Sequence, residues 1–277
     1  MAPTTDPALN ASRRIMTSAH RPMARALSLT VLLISALPLS AAHAQTMNEQ
    51  IVGYVRDATT NRHLYTEIHQ LTLGRDGAVR TGNTVYIDAQ GQEMARKTTD
   101  YRKHRTVPQY RMEMPALGYA EGIREVGTTV VMFKDAGQDR PEEEERLKLP
   151  DGDVAADAGF NQLIMDAWPR LQRGQTIRFR LITAGRLTDY AFRARHDGDL
   201  MYEQQAATRV RVEPDSMLRL LTEPIELIYD RSGRRLLHYL GVSNVLDPST
   251  GEVYKRIDIS YSVSGPQRAA ATSTSPP

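Results

Sequence analysis

The chain has no cysteine. That absence excludes disulfides, thiolate zinc sites, a cysteine nucleophile and lipid attachment through a cysteine after signal cleavage. An exported domain of about 220 residues buries enough surface to fold without the disulfides that small secreted domains need. Tryptophan is reduced to Trp168, and phenylalanine to four residues against 12 tyrosines. The tyrosine-rich balance suits strands in a half-wet sheet. Catalytic signatures are missing too: there is no Gly-x-Ser-x-Gly, Ser-x-x-Lys, His-Glu-x-x-His or Walker-type glycine loop. No catalytic residue, cofactor or metal is therefore expected. Paired carboxylates for glycan hydrolysis need no fixed spacing, but Glu113 and Glu121, flanking a turn at Gly118, and Asp100 before Tyr101 read as ordinary sheet-edge carboxylates.

What is present begins with a leader. Arg13, Arg14, Arg21 and Arg25 precede an apolar run from Ala26 to about Leu39, and Ala42-His43-Ala44 supplies a small-x-small site before Gln45. These are the three parts of a secretory signal, so residues 1–44 are expected to be cleaved. The apolar run, about 14 residues broken at Pro38, is short against the roughly 20 a spanning helix needs. No later segment is longer or more apolar. Translation from Met23 would leave Met-Ala-Arg-Ala ahead of the core and give a compact signal. The expected address is the periplasm or the cell exterior, with no permanent transmembrane segment after cleavage.

Cleavage also changes the charge. Of 35 Lys and Arg and 33 Asp and Glu, the leader carries four Arg and one Asp, which leaves 31 and 32 and a net charge of −1. The alkaline isoelectric point of the full chain is thus no sign of nucleic-acid binding, which the compartment and the lack of interleaved aromatics also oppose. Lys97, Lys103, Lys134, Lys148 and Lys255 are the only lysines after the leader; the other bases are arginines. Arginine makes fixed bidentate contacts with carboxylates and phosphates.

Residues 45–264 read as a single β-rich domain. Strands are expected at 51–56, 62–70, 83–87, 93–98, 110–114, 119–125 and 128–133, separated by polar turns such as Asp57–Asn61 and Asp88–Gln92. A second set is expected at 176–182, 189–195, 208–212, 225–229, 234–239 and 253–263. Between the sets, 136–151 reads as a flexible acidic insertion, a solvated flap rather than a core element. Residues 153–168 read as an amphipathic helix: Phe160, Leu163, Ile164, Ala167 and Trp168 fall on one stripe, Asp153 caps it and Pro169 ends it. The tail from Gly265 has nothing to bury and reads as disordered. Serial short strands predict a mainly β fold, a curved antiparallel sheet, half-barrel or barrel with the one helix packed on it. The plan is similar to periplasmic half-barrels that shelter lipids, a likeness of architecture alone.

The most distinctive pattern is arginine at every second position of three strands. Arg178 and Arg180, Arg193 and Arg195, and Arg209 and Arg211 each oppose apolar neighbours, so adjacent strands would bring six guanidinium groups to one face. Like charges in direct opposition repel, so this face calls for anions. These are either internal, from Asp189, Glu203, Glu213 and Glu226, or those of a ligand. Together with Trp168 these six arginines are the candidate ligand-binding residues. Two further clusters hold metal-ligating residue types. His63, Tyr65, Glu67 and His69 share parity on one strand, but the two histidines would stand about 20 Å apart along an extended chain. His196–Asp199 is a short turn with too few ligands. Gly118–Gly122 and Tyr239–Asn244 read as places of tight turning or close backbone approach.

The leading expectation is a non-enzymatic periplasmic protein that binds an amphipathic or anionic envelope ligand such as a lipid or anionic glycan. Its apolar part would lie near Trp168 and its head group at the arginines. A structural or assembly factor with an envelope protein partner, binding through a sheet edge or the 136–151 segment, is the first alternative, and a glycan hydrolase using paired carboxylates is the second.

Overall fold

Strand period, turn residues and one helical stripe dictate most of the architecture. The computed structural model describes residues 47–137, 140–217 and 223–268, the last five as backbone. The leader with its cleavage site, and the tail beyond Arg268, lie outside the described residues. Strands β1 (Met47–Asp57), β2 (His63–Leu73), β3 (Val79–Asp88) and β4 (Glu93–Asp100) come first. β5 (Gln109–Met114), β6 (Tyr119–Val126), β7 (Thr129–Asp135) and β8 (Glu143–Lys148) follow. After the short β9 (Val154–Ala156) come helix α1 (Phe160–Gln172) and β10 (Ile177–Thr183). The chain continues through β11 (Thr188–Tyr202), β12 (Gln205–Pro214), β13 (Ile225–Asp230), β14 (Leu236–Gly241) and β15 (Ile257–Arg268).

All fifteen strands join one sheet in the order β8-β7-β6-β5-β4-β3-β2-β1-β15-β14-β13-β12-β11-β10-β9. Two meanders therefore run outward from a central seam where β1 pairs antiparallel with β15. Every neighbouring pair is antiparallel except β9 with β10, and a parallel pair needs a crossover. That crossover is α1, the one helix the stripe predicted. So wide a twisted sheet curls, and bulges in β1/β2, β6/β7 and β11/β12 sharpen the bend. The curl brings the β4–β5 loop to β9, where Ala156 donates its amide to the Thr106 carbonyl. It also brings β6 to the 184–186 turn after β10, where Gly185 abuts Glu121. The result is a mainly β, open and curved antiparallel sheet with one packed helix, a half-barrel.

The inner face holds the core. Val55, Tyr65, Tyr86, Ala95, Met112, Ile123 and Met132 from the first meander pack with Ile182, Val245, Ile257 and Ile259 from the second. A second cluster seats Leu163, Ile164, Ala167, Trp168 and Leu171 of α1 on Ile177, Phe179, Ala194, Val210, Val212 and Leu227. Ile164 and Leu171 are fully buried, each stabilising by about 1.5–3 kcal/mol relative to exposure.

Three expectations need correction. The helix starts at Phe160, not residue 153, because Val154–Ala156 pair with Arg180–Ile182 as a strand and Asp157–Gly159 form a 3-10 turn. Asp153 caps nothing; its carboxylate accepts both ends of the Arg170 guanidinium at 2.8 and 2.9 Å. Pro169 sits inside the helix, which leaves the Met165 carbonyl without its usual donor but lets the helix run to Gln172. Gly174, at φ +76°, then reverses the chain. The second correction is in the acidic segment, where Glu143–Lys148 form the edge strand β8 against β7 rather than a loop. The third is that β15 runs on to Arg268, where it pairs with Met47, so the backbone from Gly265 to Arg268 is extended strand.

Candidate functional site

The two faces of the curled sheet carry different chemistry. On the second meander the apolar alternates of β10–β13 turn inward onto α1, so the arginines turn outward. Arg178 stands directly opposite Arg193, and Arg195 opposite Arg211, as the period-two pattern implied. Each guanidinium has a carboxylate partner, one of which serves two arginines. Arg178 donates to Asp215 at 3.1 Å, Arg195 meets Asp197 at 2.8 Å, and Arg209 lies 3.8 Å from Glu226. Arg193 and Arg211 share Glu213, with Nε donating at 2.9 and 3.2 Å. Burial alone would push the Glu213 carboxyl up, but the two arginines outweigh it and hold it below the usual range. Arg180 pairs with Asp189. Of the six, Arg180 alone borders the interior cavity; the other five lie on the face away from α1.

That cavity, of about 2000 Å3, lies between α1 and the inner faces of both meanders. Ile51, Leu71, Leu73, Ile259 and Val263 form an apolar wall, faced by Met165 and Trp168 of the helix. Trp168 is both core and lining. It is only 8% exposed, stacks at a tilt on Tyr229 with ring centres 5.3 Å apart, and still reaches the cavity. Gly233, at φ +70°, makes room for it, because a Cβ there would come within 2.0 Å of the indole.

The polar part of the lining comes chiefly from the first meander. Glu67 and His69 lie two residues apart on the inner face of β2, and Thr84 stands directly opposite His69 on β3. His69 Nε2 is 3.0 Å from Glu67 Oε2, and its Nδ1 is 2.9 Å from Thr84 Oγ1. Tyr261 donates its hydroxyl to the same Glu67 oxygen at 3.4 Å. Lys97, opposite Thr84 on β4, points its ammonium to Asp157 at 3.9 Å and toward Tyr86. Burial alone would pull the Lys97 ammonium down, but Tyr86 and Asp157 outweigh it and hold it above its ordinary value. Burial also raises the phenols of Tyr65, Tyr86 and Tyr261. Asp157 further accepts Asn244 Nδ2 at 2.6 Å, while Ser243 Oγ lies 2.9 Å from the Tyr65 hydroxyl. The Tyr239–Asn244 segment thus sends two side chains to the interior, and it is tight at Gly241, where a Cβ would lie 2.9 Å from the Tyr239 hydroxyl.

Gly118–Gly122 behaves in the same way. A Cβ on Gly122 would fall 2.0 Å from the Tyr110 carbonyl. The segment sets Tyr119 and Glu121 on one face, and the phenol donates to the carboxylate at 2.5 Å. Burial raises Glu121 to about 7, although Tyr119 opposes the shift. Lys134 stands opposite Glu121 on β7, and Arg186 and Arg140 border the same end of the cavity. Glu113, by contrast, pairs with Arg111 on the other face, so Glu113 and Glu121 do not share a cleft.

Among the described residues no group of three His, Cys, Asp or Glu side chains can hold a metal. The shared parity expected of His63 and His69 is broken by a bulge at Leu64, which turns His63 outward to stack on Tyr54 with ring centres 4.2 Å apart. His196–Asp199 is not the expected turn but a bulge within β11; there His196 meets Asp199 at 3.2 Å, and Asp199 is also taken by Thr208 and Arg231. The inner polar group was missed in sequence because Glu67, Thr84, Lys97 and Asp157 lie on four different elements. Shared strand parity of Glu67 and His69 was the one available signal.

No helix among the described residues is long and apolar enough to cross a membrane. No family model and no curated protein matches the chain. One solved structure similar to it is a beta-barrel-like protein of the domain of unknown function DUF1849 from Brucella abortus. The alignment has 9% identity and a TM-score of 0.48, over 79% of this chain and 98% of that one. Another is a putative outer membrane lipoprotein-sorting protein domain from Vibrio parahaemolyticus, at 9% identity and a TM-score of 0.27, over 84% and 89%.

Proposed function

We propose that the chain is an extracytoplasmic binding protein for an amphipathic molecule with an anionic group, of which an envelope lipid is the natural example. The observation that carries this reading is the cavity of about 2000 Å3. It exceeds the roughly 300–1,000 Å3 of ordinary small-molecule sites, and its lining is divided. Ile51, Leu71, Val263, Met165 and Trp168 offer apolar surface, while Lys134, Arg140 and Arg186 lie toward the end near Tyr119 and Arg180 lines the cavity beside Asp189. An acyl part would lie against Trp168, and the anionic group would meet those cations. Exposed Tyr190 and Val242 border the lining and would meet the ligand on entry. In this reading Trp168 and Arg180 touch the ligand, and Arg178, Arg193, Arg195, Arg209 and Arg211 keep the outer face soluble. The leader pattern of residues 1–44 supports the extracytoplasmic address.

An assembly factor that recruits a protein strand is the second reading, and the free edge of β8 is what favours it. Glu143, Glu144, Glu145, Arg146 and Lys148 are exposed there, and such charge blunts strand addition. The ligand reading is therefore preferred. Protein purified from its own cell envelope and extracted for mass spectrometry should release an amphipathic anion. A clean extract, together with no response of Trp168 fluorescence to acyl-chain probes, would overturn the proposal.

A further inference from the structure

Beyond simple binding, we propose that Thr84, His69 and Glu67 form a nucleophile–base relay that cleaves a carboxylic ester of the amphipathic molecule held in the cavity. This inference rests on the binding reading above and assigns it a reaction.

A carboxylate only accepts hydrogen bonds, so ionised Glu67 requires the proton of His69 on Nε2. In the neutral imidazole that leaves Nδ1 as an acceptor, aimed at the Thr84 hydroxyl 2.9 Å away. Nucleophile, base and orienting carboxylate then stand in hydrogen-bonded series, the arrangement that activates a hydroxyl. The series is held firmly. Tyr261 and Gly53 close over Glu67, a Cβ on Gly53 coming within 3.2 Å of its carboxylate, and the β-branch of Thr84 limits its rotamers. All three side chains line the cavity, and Glu67 and Thr84 are only 6% and 5% exposed, so water competes poorly. Directly across from Thr84 in register stands Lys97, whose ammonium lies beside Asp157 and Tyr86; in this proposal it is the cation that meets the developing oxyanion.

The step balances without a co-reactant other than water. Thr84 Oγ forms a bond to the ester carbonyl carbon as its proton passes to His69 Nδ1. Collapse of the tetrahedral oxyanion breaks the ester C–O bond, and the leaving alkoxide takes that proton. Water then attacks the acyl-Thr84 ester, loses a proton to His69, and releases the acid and the free hydroxyl. Thr84 and His69 are the catalytic residues, and Glu67 is a positioning residue.

The test uses the protein without residues 1–44, p-nitrophenyl octanoate as substrate and octyl p-nitrophenyl ether as an uncleavable analogue. Binding of the ether is read from the fluorescence of Trp168, the sole tryptophan. The proposal expects nitrophenolate release with an octanoyl adduct on the Thr84 peptide. Thr84→Ala and His69→Gln should lower kcat/KM by about 100-fold or more. Thr84→Ser should stay within about tenfold of the wild type, and Glu67→Gln should lower kcat while ether affinity holds. Ether binding without turnover, or turnover that survives Thr84→Ala, overturns the relay and leaves the binding reading intact. Failure of both the ether and the anionic amphiphile dodecyl phosphate to change that fluorescence overturns the binding reading itself, and the relay with it. If Thr84→Ala does not fold, the comparison of Thr84→Ser with His69→Gln decides: equal activity in the two overturns the relay.

Discussion

The outer face of β10–β13 and the inner face of β1–β6 are both rich in charged and polar side chains, and they treat them in opposite ways. Outside, the arginines meet carboxylates on their own strand, on the next strand or, for Arg178, just beyond β12, and most of these pairs stand in solvent. Such pairs give little net stability and are screened by salt. Inside, Glu67, Thr84, Lys97 and Glu121 lie out of solvent, where a polar group without partners is costly. These inner groups are knitted to His69 and Tyr119 on their own or the next strand and to Tyr261 and Asp157 from elements distant in the chain. A row of similar residues is thus no guide to function; a buried polar group beside a cavity is a better one.

The largest effect expected of this contrast comes from Lys97→Met, which leaves Asp157 facing the interior without its cation. A loss of about 3 kcal/mol in urea unfolding is expected; a neutral result would show that the inner pair is as weak as the outer ones. Glu121→Gln sharpens the same point through pH. The Glu121 carboxyl lies near 7 in the fold against an ordinary 4.5, so it binds its proton more tightly folded than unfolded. Its stabilising contribution is fully present below about 4.5 and is lost as pH rises to about 7, a change of about 3 kcal/mol. The variant keeps an acceptor for Tyr119, so it should match the wild type at pH 4 and exceed it at pH 8. Equal stability at both pH values would mean that Glu121 is solvated. The smallest effect is outside: Arg178→Ala and Arg195→Ala should each cost less than about 1 kcal/mol in denaturant melts, and less still in high salt. A loss of several kcal/mol from either would erase the distinction between the faces.

Much of this fold was legible in the chain. Thirteen of the fifteen strands follow from period-two alternation between turn residues; Ile177–Thr183, for instance, alternates apolar and arginine as expected. The two missed strands show where local pattern fails. Val154–Ala156 is three residues long and exists because β10 offers a parallel edge. Glu143–Lys148 looks like solvated loop because it is an edge with charge on both sides. The candidate site was less legible. Parity placed Glu67 with His69 and Tyr119 with Glu121, but the same rule put His63 beside them, and a bulge removed it. Nothing local announces that Asp157, Lys97 and Asn244 meet.

By itself, then, the sequence determined the strands, the helix stripe, the pairing of arginines with apolar neighbours, and the exclusion of thiol chemistry. Those are consequences of local periodicity and residue type, which need no knowledge of the rest of the chain. Only the tertiary structure decided which face of each strand became the interior. It sent five arginines outward, kept Arg180 and Trp168 at the cavity, and brought Glu67, His69, Thr84 and Lys97 together inside. The reason is that curling a sheet this wide buries one face and exposes the other, and the burial of α1 on β10–β13 selects which.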